Sequence, residues 1–290
     1  MYLNNAKLSL SPKWLYIIVP TLFFAFAGLN FLVSLLFDTS SLIKAEIASK
    51  GELITENLLI FAVFLAVLLL WVKYVHRQPL TALITARPKI DWKRFWFAFA
   101  LWGVVTVGVT LIDYAIHPEA YVWNFQWIPF LKILVIVVLL MPLQTGFEEV
   151  FFRAYLMQAV GLTVRNAWLP LVFTSVTFGL MHLANPEVEK LGYMLLIYYI
   201  GTGFFLGITT LMDDGIELAL GFHTANNLFT ALLVTSDWTV FQVPSLLRDV
   251  SEPTLGLTLW VPLLICFPLM LYIYAKKYHW KDIKKHLITR

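Results

Sequence analysis

Three short stretches place polar chemistry where the chain is otherwise apolar. Gln144 to Leu156 reads QTGFEEVFFRAYL, Phe178 to His182 reads FGLMH, and His223 to Asn227 reads HTANN. In the first, Glu149 and Arg153 stand at i,i+4, so on a helix they share one face and can pair. Glu148 points about 100° away from Glu149 around the same helix. The two adjacent carboxylates therefore cannot do the same job: one is neutralised by Arg153 and the other is free to face a cavity. Phe178 and His182, and likewise His223 and Asn227, are also spaced i,i+4. Three helices can thus bring one face each to a common polar cavity. Such a set suits hydrolysis. A carboxylate in a partly dehydrated pocket holds its proton more tightly and can act as general base on water. A histidine beside it can share the water or protonate the leaving amine. A second histidine and an asparagine amide can donate hydrogen bonds to a developing oxyanion. No covalent nucleophile is required.

Each of these residues also has a plainer reading. Glu149–Arg153 reads first as a structural ion pair, whereas Glu148 has no equally placed partner and reads as functional. His182 alone is as readily a packed core histidine as a site residue. His223 with Asn227 can join helices by hydrogen bonds without doing chemistry. Gly203 and Gly207 in GTGFFLG form a small-xxx-small pattern that predicts close helix packing. Asp213 and Asp214, followed by Gly215, predict a tight turn rather than a metal site. Asp113, Glu187 and Glu189 read as span-end or loop residues.

The elements that must position these groups follow from composition. The 290 residues are 60% hydrophobic and 13% charged, with a mean hydropathy of +0.77. Soluble domains carry roughly 25% charged residues, so the fold class expected is all-α: a polytopic transmembrane helical bundle of about eight spans, each needing about 20 apolar residues. The apolar stretches run near Trp14–Phe37, Leu58–Val75, Phe95–Ile116, Phe130–Val160, Trp168–Leu183, Leu191–Met212, Ile216–Thr235 and Leu255–Ala275. The first follows Lys7 and Lys13 but is too long for a signal-peptide core, and it reads as a retained anchor. The whole chain, 1–290, is expected to form a single integral membrane domain, with 130–235 as the motif-bearing catalytic core helices. The fourth stretch is about 46 Å long as one helix, which exceeds a hydrocarbon core of about 30 Å, and Pro142 is expected to kink it. Glu148 then lies about 18 Å from the end at Val160, inside the membrane. An ionisable residue at that depth costs at least about 2.5 kcal/mol on insertion scales and is a functional hypothesis by default.

Lysine and arginine set the expected orientation. The second connection carries Lys73, Arg77, Arg87, Lys89, Lys93 and Arg94, and the tail carries Lys276, Lys277, Lys281, Lys284, Lys285 and Arg290. Both are expected to be cytoplasmic, with lipid headgroups as their other natural contact. The connection His117–Pro129 has neither residue and is expected outside. The connection Asp38–Asn57 mixes Lys44 and Lys50 with Asp38, Glu46, Glu52 and Glu56 and is uninformative. Eight spans with both termini cytoplasmic satisfy these constraints. Trp14, Trp123, Trp127, Trp168 and Trp260 fall near span ends and fit interfacial anchoring. The single cysteine, Cys266, excludes a disulfide framework and a Cys-rich metal site. His-Glu-x-x-His and Gly-x-Ser-x-Gly patterns are both absent.

The three motifs together resemble the CPBP family, which comprises CAAX prenyl endopeptidases of the Rce type and bacterial Abi or bacteriocin-processing proteins. EEVFFR is similar to its Glu-Glu-x-x-x-Arg motif, FGLMH to its Phe-x-x-x-His motif and HTANN to its His-x-x-x-Asn motif, in family order. The resemblance implies an intramembrane glutamate-type endopeptidase that requires no metal. Glu148 would activate water with help from His182, His223 and Asn227 would stabilise the oxyanion, and Glu149 and Arg153 would support the site. Zinc held by Glu148, His182 and His223 is the cofactor alternative. The partners implied are the membrane and a peptide or membrane-protein substrate, with no nucleic acid, and the setting is a bacterial inner membrane. Two other classes stay open: a non-catalytic immunity or regulatory partner protein of the same family, and a transporter using the carboxylates as a proton relay. The transporter reading is weakened by the absence of an evident repeat.

Overall fold

The computed structural model describes residues 2–36, 52–164, 166–282 and 286–287. Phe37, the acidic and basic residues Asp38, Lys44, Glu46 and Lys50 of the first connection, and Lys284, Lys285 and Arg290 of the tail lie outside the described residues. Each of the eight apolar stretches contains a helix: α1 Ile18–Leu36, α2 Glu52–Leu70, α3 Trp92–Ile116, α4 Trp127–Glu149, α5 Trp168–Leu180, α6 Leu195–Asp213, α7 Glu217–Leu233 and α8 Phe267–Lys277. The protein is an all-α polytopic bundle. Six helical runs are long and apolar enough to cross a membrane. The two remaining helices are shorter: α5 has 13 residues and α7 has 17. α5 stops three residues before the expected Leu183, and the chain passes through a turn to Asn185, which precedes Pro186 and is held extended (ψ 140°). His182 accordingly lies in the turn after α5 rather than on it. Its backbone N–H bonds the Gly179 carbonyl at 3.1 Å.

The long fourth run, Trp127–Gly161, is continuous over 35 residues. The sequence points to Pro142 as its irregularity, yet Pro142 sits within the α portion. The α pattern gives way instead at Val150–Leu156, a π-helical segment that begins immediately after Glu149. Wide turns of this kind inside α-helices are frequent at functional sites. Here the wide turn carries Arg153.

Helix packing explains the small residues. α6 lies along α5, and α7 lies between α3 and α4. A Cβ on Gly203 would come within 2.6 Å of the Ser175 carbonyl oxygen, and one on Gly179 within 2.8 Å of the Ile200 backbone nitrogen. Gly207 meets the side chain of Leu171, and Gly221 meets the Phe95 backbone. Without a hydrophobic drive between helices in lipid, backbones approach through small residues. The lipid-facing side is the reverse. Leu22, Val63, Val104, Val109 and Val135 are exposed, Val104 at 72%, and the five span-end tryptophans are all exposed as well.

The two ends of the bundle are built differently. At one end the N-terminal 3-10 helix Tyr2–Leu8 meets the second connection: the Tyr2 hydroxyl donates to the Leu83 carbonyl at 2.7 Å and its backbone N–H to Asp214 at 2.7 Å. Asp214 takes a left-handed conformation (φ 51°), which makes the expected turn before Gly215. Asp213 pairs with Arg87 at 3.3 Å and with Arg94 at 2.5 Å, and Arg87 also pairs with Glu217 at 2.6 Å. Trp280 of the tail donates to Asp213 at 3.1 Å. The N-terminus, the basic connection, the α6–α7 turn and the tail therefore share one end, as an even number of spans requires. At the opposite end a small sheet, in the order β1–β3–β2, joins Tyr121–Trp123, Leu247–Asp249 and Val234–Thr235. β1 runs antiparallel to β3, with Tyr121 opposite Asp249, and β2 runs parallel to it. Asp113, near the end of α3, accepts from the Tyr121 hydroxyl and pairs with His117.

Candidate active site

α4 supplies two polar faces one residue apart. On one, Glu149 Oε1 accepts from Arg153 Nη1 at 3.0 Å and from His223 Nδ1 at 2.7 Å. Glu149 and Arg153 have no solvent exposure, and Arg153 is the largest fully buried side chain. The guanidinium also lies over the Phe178 ring, 4.0 Å from its centroid. A buried cation gains from such a ring face when its hydrogen-bonding atoms are not all paired; Nε and Nη2 of Arg153 have no partner among the described residues.

On the other face, Glu148 Oε1 accepts from Gln144 Nε2 at 2.6 Å, and Oε2 lies 3.4 Å from His223 Nε2. The Glu148 side chain keeps 15% of its surface, against none for Glu149. The adjacent carboxylates thus divide: Glu149 holds the arginine and the inner edge of the imidazole, and Glu148 faces its outer edge. Since a carboxylate only accepts, His223 Nδ1 carries the hydrogen that reaches Glu149, and Nε2 is left toward Glu148. Asn227 Nδ2 lies 3.4 Å from that same Nε2 and donates to Gln144 Oε1 at 3.1 Å.

His182 stands beside this network without a direct bond to Glu148 among the described residues. Its Nδ1 donates to the Phe178 carbonyl at 2.9 Å, so Nε2 is the free ring nitrogen. Tyr199 stacks on the ring with centroids 4.1 Å apart, and Phe178 packs edge-on at 4.9 Å. Phe178 also meets His223 at 5.9 Å. The phenylalanine of FGLMH is the wedge that spaces Arg153, His182 and His223 around one centre. The structure therefore brings Glu148, Glu149, Arg153, His223 and Asn227 into one hydrogen-bonded cluster, and places His182 next to it through aromatic contacts. No group of three His, Cys, Asp or Glu side chains is arranged to hold a metal ion among the described residues.

Sequence reasoning missed Gln144, which bonds Glu148 and Asn227 at once. Its i,i+4 spacing to Glu148 was the available signal. It also missed Tyr199, and the hydroxyl pair Thr145–Thr224 at 2.8 Å that joins α4 to α7 below the cluster.

Residues 126–229 match the family model described as "Type II CAAX prenyl endopeptidase Rce1-like". Over its motif-bearing helices the chain is similar to the Rce1-like family. The Rce1-like segment opens one residue before α4 and closes within α7, so it encloses Glu148, Glu149, Arg153, His182, His223 and Asn227. A relative beyond that segment is an uncharacterised protein of Bacillus subtilis (strain 168), YyaK, 34% identical over 177 residues, which cover 60% of this chain and 59% of YyaK. The chain spans about three fifths of that relative's length. No solved structure matches the chain.

Proposed function

We propose that this protein is a membrane-embedded endopeptidase that hydrolyses a peptide bond with water activated by Glu148. The observation that carries the proposal is the division of labour between the adjacent carboxylates. Glu149 is fully buried on Arg153 and His223 Nδ1, while Glu148 stays partly exposed, with Oε2 turned to His223 Nε2. The Rce1-like match supports the reaction class.

In this reading Glu148 Oε2 takes a proton from water, and the water oxygen bonds to the scissile carbonyl carbon. His223 Nε2 and Asn227 Nδ2 flank the developing oxyanion. Because His223 Nδ1–H is committed to Glu149, donation from Nε2 requires the imidazolium form; in the resting site Glu148 and Glu149 together balance the charges of His223 and Arg153. When the carbon–nitrogen bond breaks, the proton passes to the leaving amine from Glu148 or through His182 Nε2, which has no hydrogen bond among the described residues. The site needs no metal in this reading, and Glu149 and Arg153 support it. The peptide or membrane-protein substrate reaches it within a single membrane domain, 1–290, whose core is 130–235. Both termini and the charged end of the bundle are assigned to the cytoplasm of a cell membrane.

The test compares membrane proteomes of cells carrying the wild-type chain and Glu148→Ala. The expected result is at least one membrane protein or peptide that loses a fragment and accumulates uncut in the variant. Identical proteomes, with the phenotype of a deletion rescued by the variant, would favour the non-catalytic partner reading.

A further inference from the structure

Outside the motif residues, a line of polar side chains crosses the bundle toward Glu148. Trp102 Nε1 on α3 donates to Asn226 Oδ1 on α7 at 3.1 Å. Asn226 Nδ2 donates to Asn227 Oδ1 at 3.2 Å. Asn227 Nδ2 donates to Gln144 Oε1 on α4 at 3.1 Å, and Gln144 Nε2 donates to Glu148 Oε1 at 2.6 Å.

The two ends fix the direction of this line. An indole N–H can only donate, and a carboxylate can only accept. The indole forces Asn226 to present its oxygen, which turns its amide nitrogen to Asn227 and passes the same polarity on. The carboxylate independently forces Gln144 to present its nitrogen. Both ends impose one orientation on all three amides, so no link is frustrated. Helix packing alone does not ask for this. Trp102 is 6% exposed and already packs against Phe222 at 4.4 Å, and one acceptor for its N–H would satisfy it. The line instead continues through two more amides, half-buried Asn227 and buried Gln144, to the carboxylate, and a polar network satisfied at every link rigidifies the groups it joins.

We infer that Trp102, Asn226 and Gln144 are positioning residues: a one-way chain of hydrogen bonds across three helices holds Glu148 Oε1 and aims the second amide hydrogen of Asn227 toward the reacting carbonyl. The chain leaves Glu148 Oε2 and Asn227 Nδ2 each 3.4 Å from His223 Nε2, so base and oxyanion donors border one spot. The inference rests on the peptidase reading for the role of Glu148, and on geometry alone for the chain itself.

Two measurements on the purified full chain in detergent separate those parts. Infrared difference spectra between the wild type and Glu148→Gln isolate the Glu148 carboxyl band. The same difference taken on a Trp102→Phe background is expected to show that band displaced, because the far end of the chain polarises it; Asn226→Leu, which cuts the chain at its next link, serves the same purpose should Trp102→Phe fail to fold. A band at the same frequency in both backgrounds overturns the chain. Turnover is read with a quenched-fluorescent peptide bearing one apolar membrane-spanning segment. Gln144→Met is expected to lower kcat on the order of 10²-fold with KM unchanged. Asn226→Asp, which still accepts from Trp102 but does not donate to Asn227 when ionised, is expected to lose as much kcat as Asn226→Leu. Recovery by Asn226→Asp, or full kcat in Gln144→Met, overturns the positioning role. A wild type that does not cleave, or Glu148→Gln that cleaves equally well, counts against the peptidase reading, and the infrared arm still decides the chain.

Discussion

Glu148 and Glu149 are neighbours in sequence with opposite fates, and substitutions should separate them. Glu149→Ala or Arg153→Ala leaves an unpaired charge where both partners are fully buried. Breaking such a pair costs about 3–5 kcal/mol, so thermal unfolding in detergent should show a clearly lower midpoint; an unchanged midpoint in both variants means the pair contributes nothing to the fold. Glu187 offers a different titration. It lies on the short helix Pro186–Leu191, outside the apolar spans, and burial holds its carboxyl above the usual carboxylate range. The folded state then keeps its proton longer than the unfolded chain, so stability falls as pH rises from the ordinary value through the raised one. Glu187→Gln should flatten that part of the stability–pH curve, and a curve identical to wild type contradicts the burial account. The sequence reads Glu187 only as a loop residue, because nothing local signals that tertiary packing covers it. The motif residues were legible for the opposite reason: an ionisable group in an apolar run is costly, and cost makes it conspicuous. Gln144 and Asn226 carry no charge and so stood out less, although they sit in the same cluster.

At the scale of elements, the α5–α6 contact is set by glycine. Gly203 faces the Ser175 backbone, which has nowhere to go, whereas Gly207 faces the end of the Leu171 side chain, which can turn aside. Gly203→Ala should therefore cost about 1–3 kcal/mol, the range for overpacking, and Gly207→Ala distinctly less. Equal losses in the unfolding midpoint would mean that backbone approach is not what fixes the two helices. The small-xxx-small spacing made this contact readable from GTGFFLG. The π-helical turn at Val150–Leu156 was not readable. The proline rule pointed to Pro142, but the wide turn lies further on and carries Arg153, whose neighbours Glu149, Phe152 and Phe178 come from two helices. The i,i+4 pairing of Glu149 with Arg153 survives the wider turn. α5 ends three residues short of the expected Leu183, and this puts His182 in a turn.

For the whole molecule, hydropathy gave the eight helical stretches because length and lack of charge are all that a span requires. It did not give the small sheet over the far end, whose strands are two or three residues long and come from two separate connections, β1 from the one before α4 and β2 and β3 from the one after α7. The proposed orientation puts that sheet outside and the Arg87–Asp213–Glu217 cluster in the cytoplasm. With Cys266→Ser as background, a cysteine at Lys7 should react with a membrane-impermeant thiol reagent only after the membrane is opened, and one at Ser251 should react in intact cells; the reverse pattern inverts the topology. Metal independence is tested by chelation and elemental analysis. Activity retained without zinc is expected, while one zinc per chain, with activity lost on chelation and restored by zinc, would turn Glu148, His182 and His223 into ligands. The central claim concerns Glu148, and the most direct measurement is turnover of a processed substrate by the intact chain reconstituted in lipid, wild type beside Glu148→Gln. The amide keeps the size of the side chain and its place near Gln144 but does not take a proton from water. The account predicts a folded variant with the wild-type unfolding midpoint to within a few degrees and a rate lower by about 10²-fold or more. Full turnover by that folded variant would contradict it.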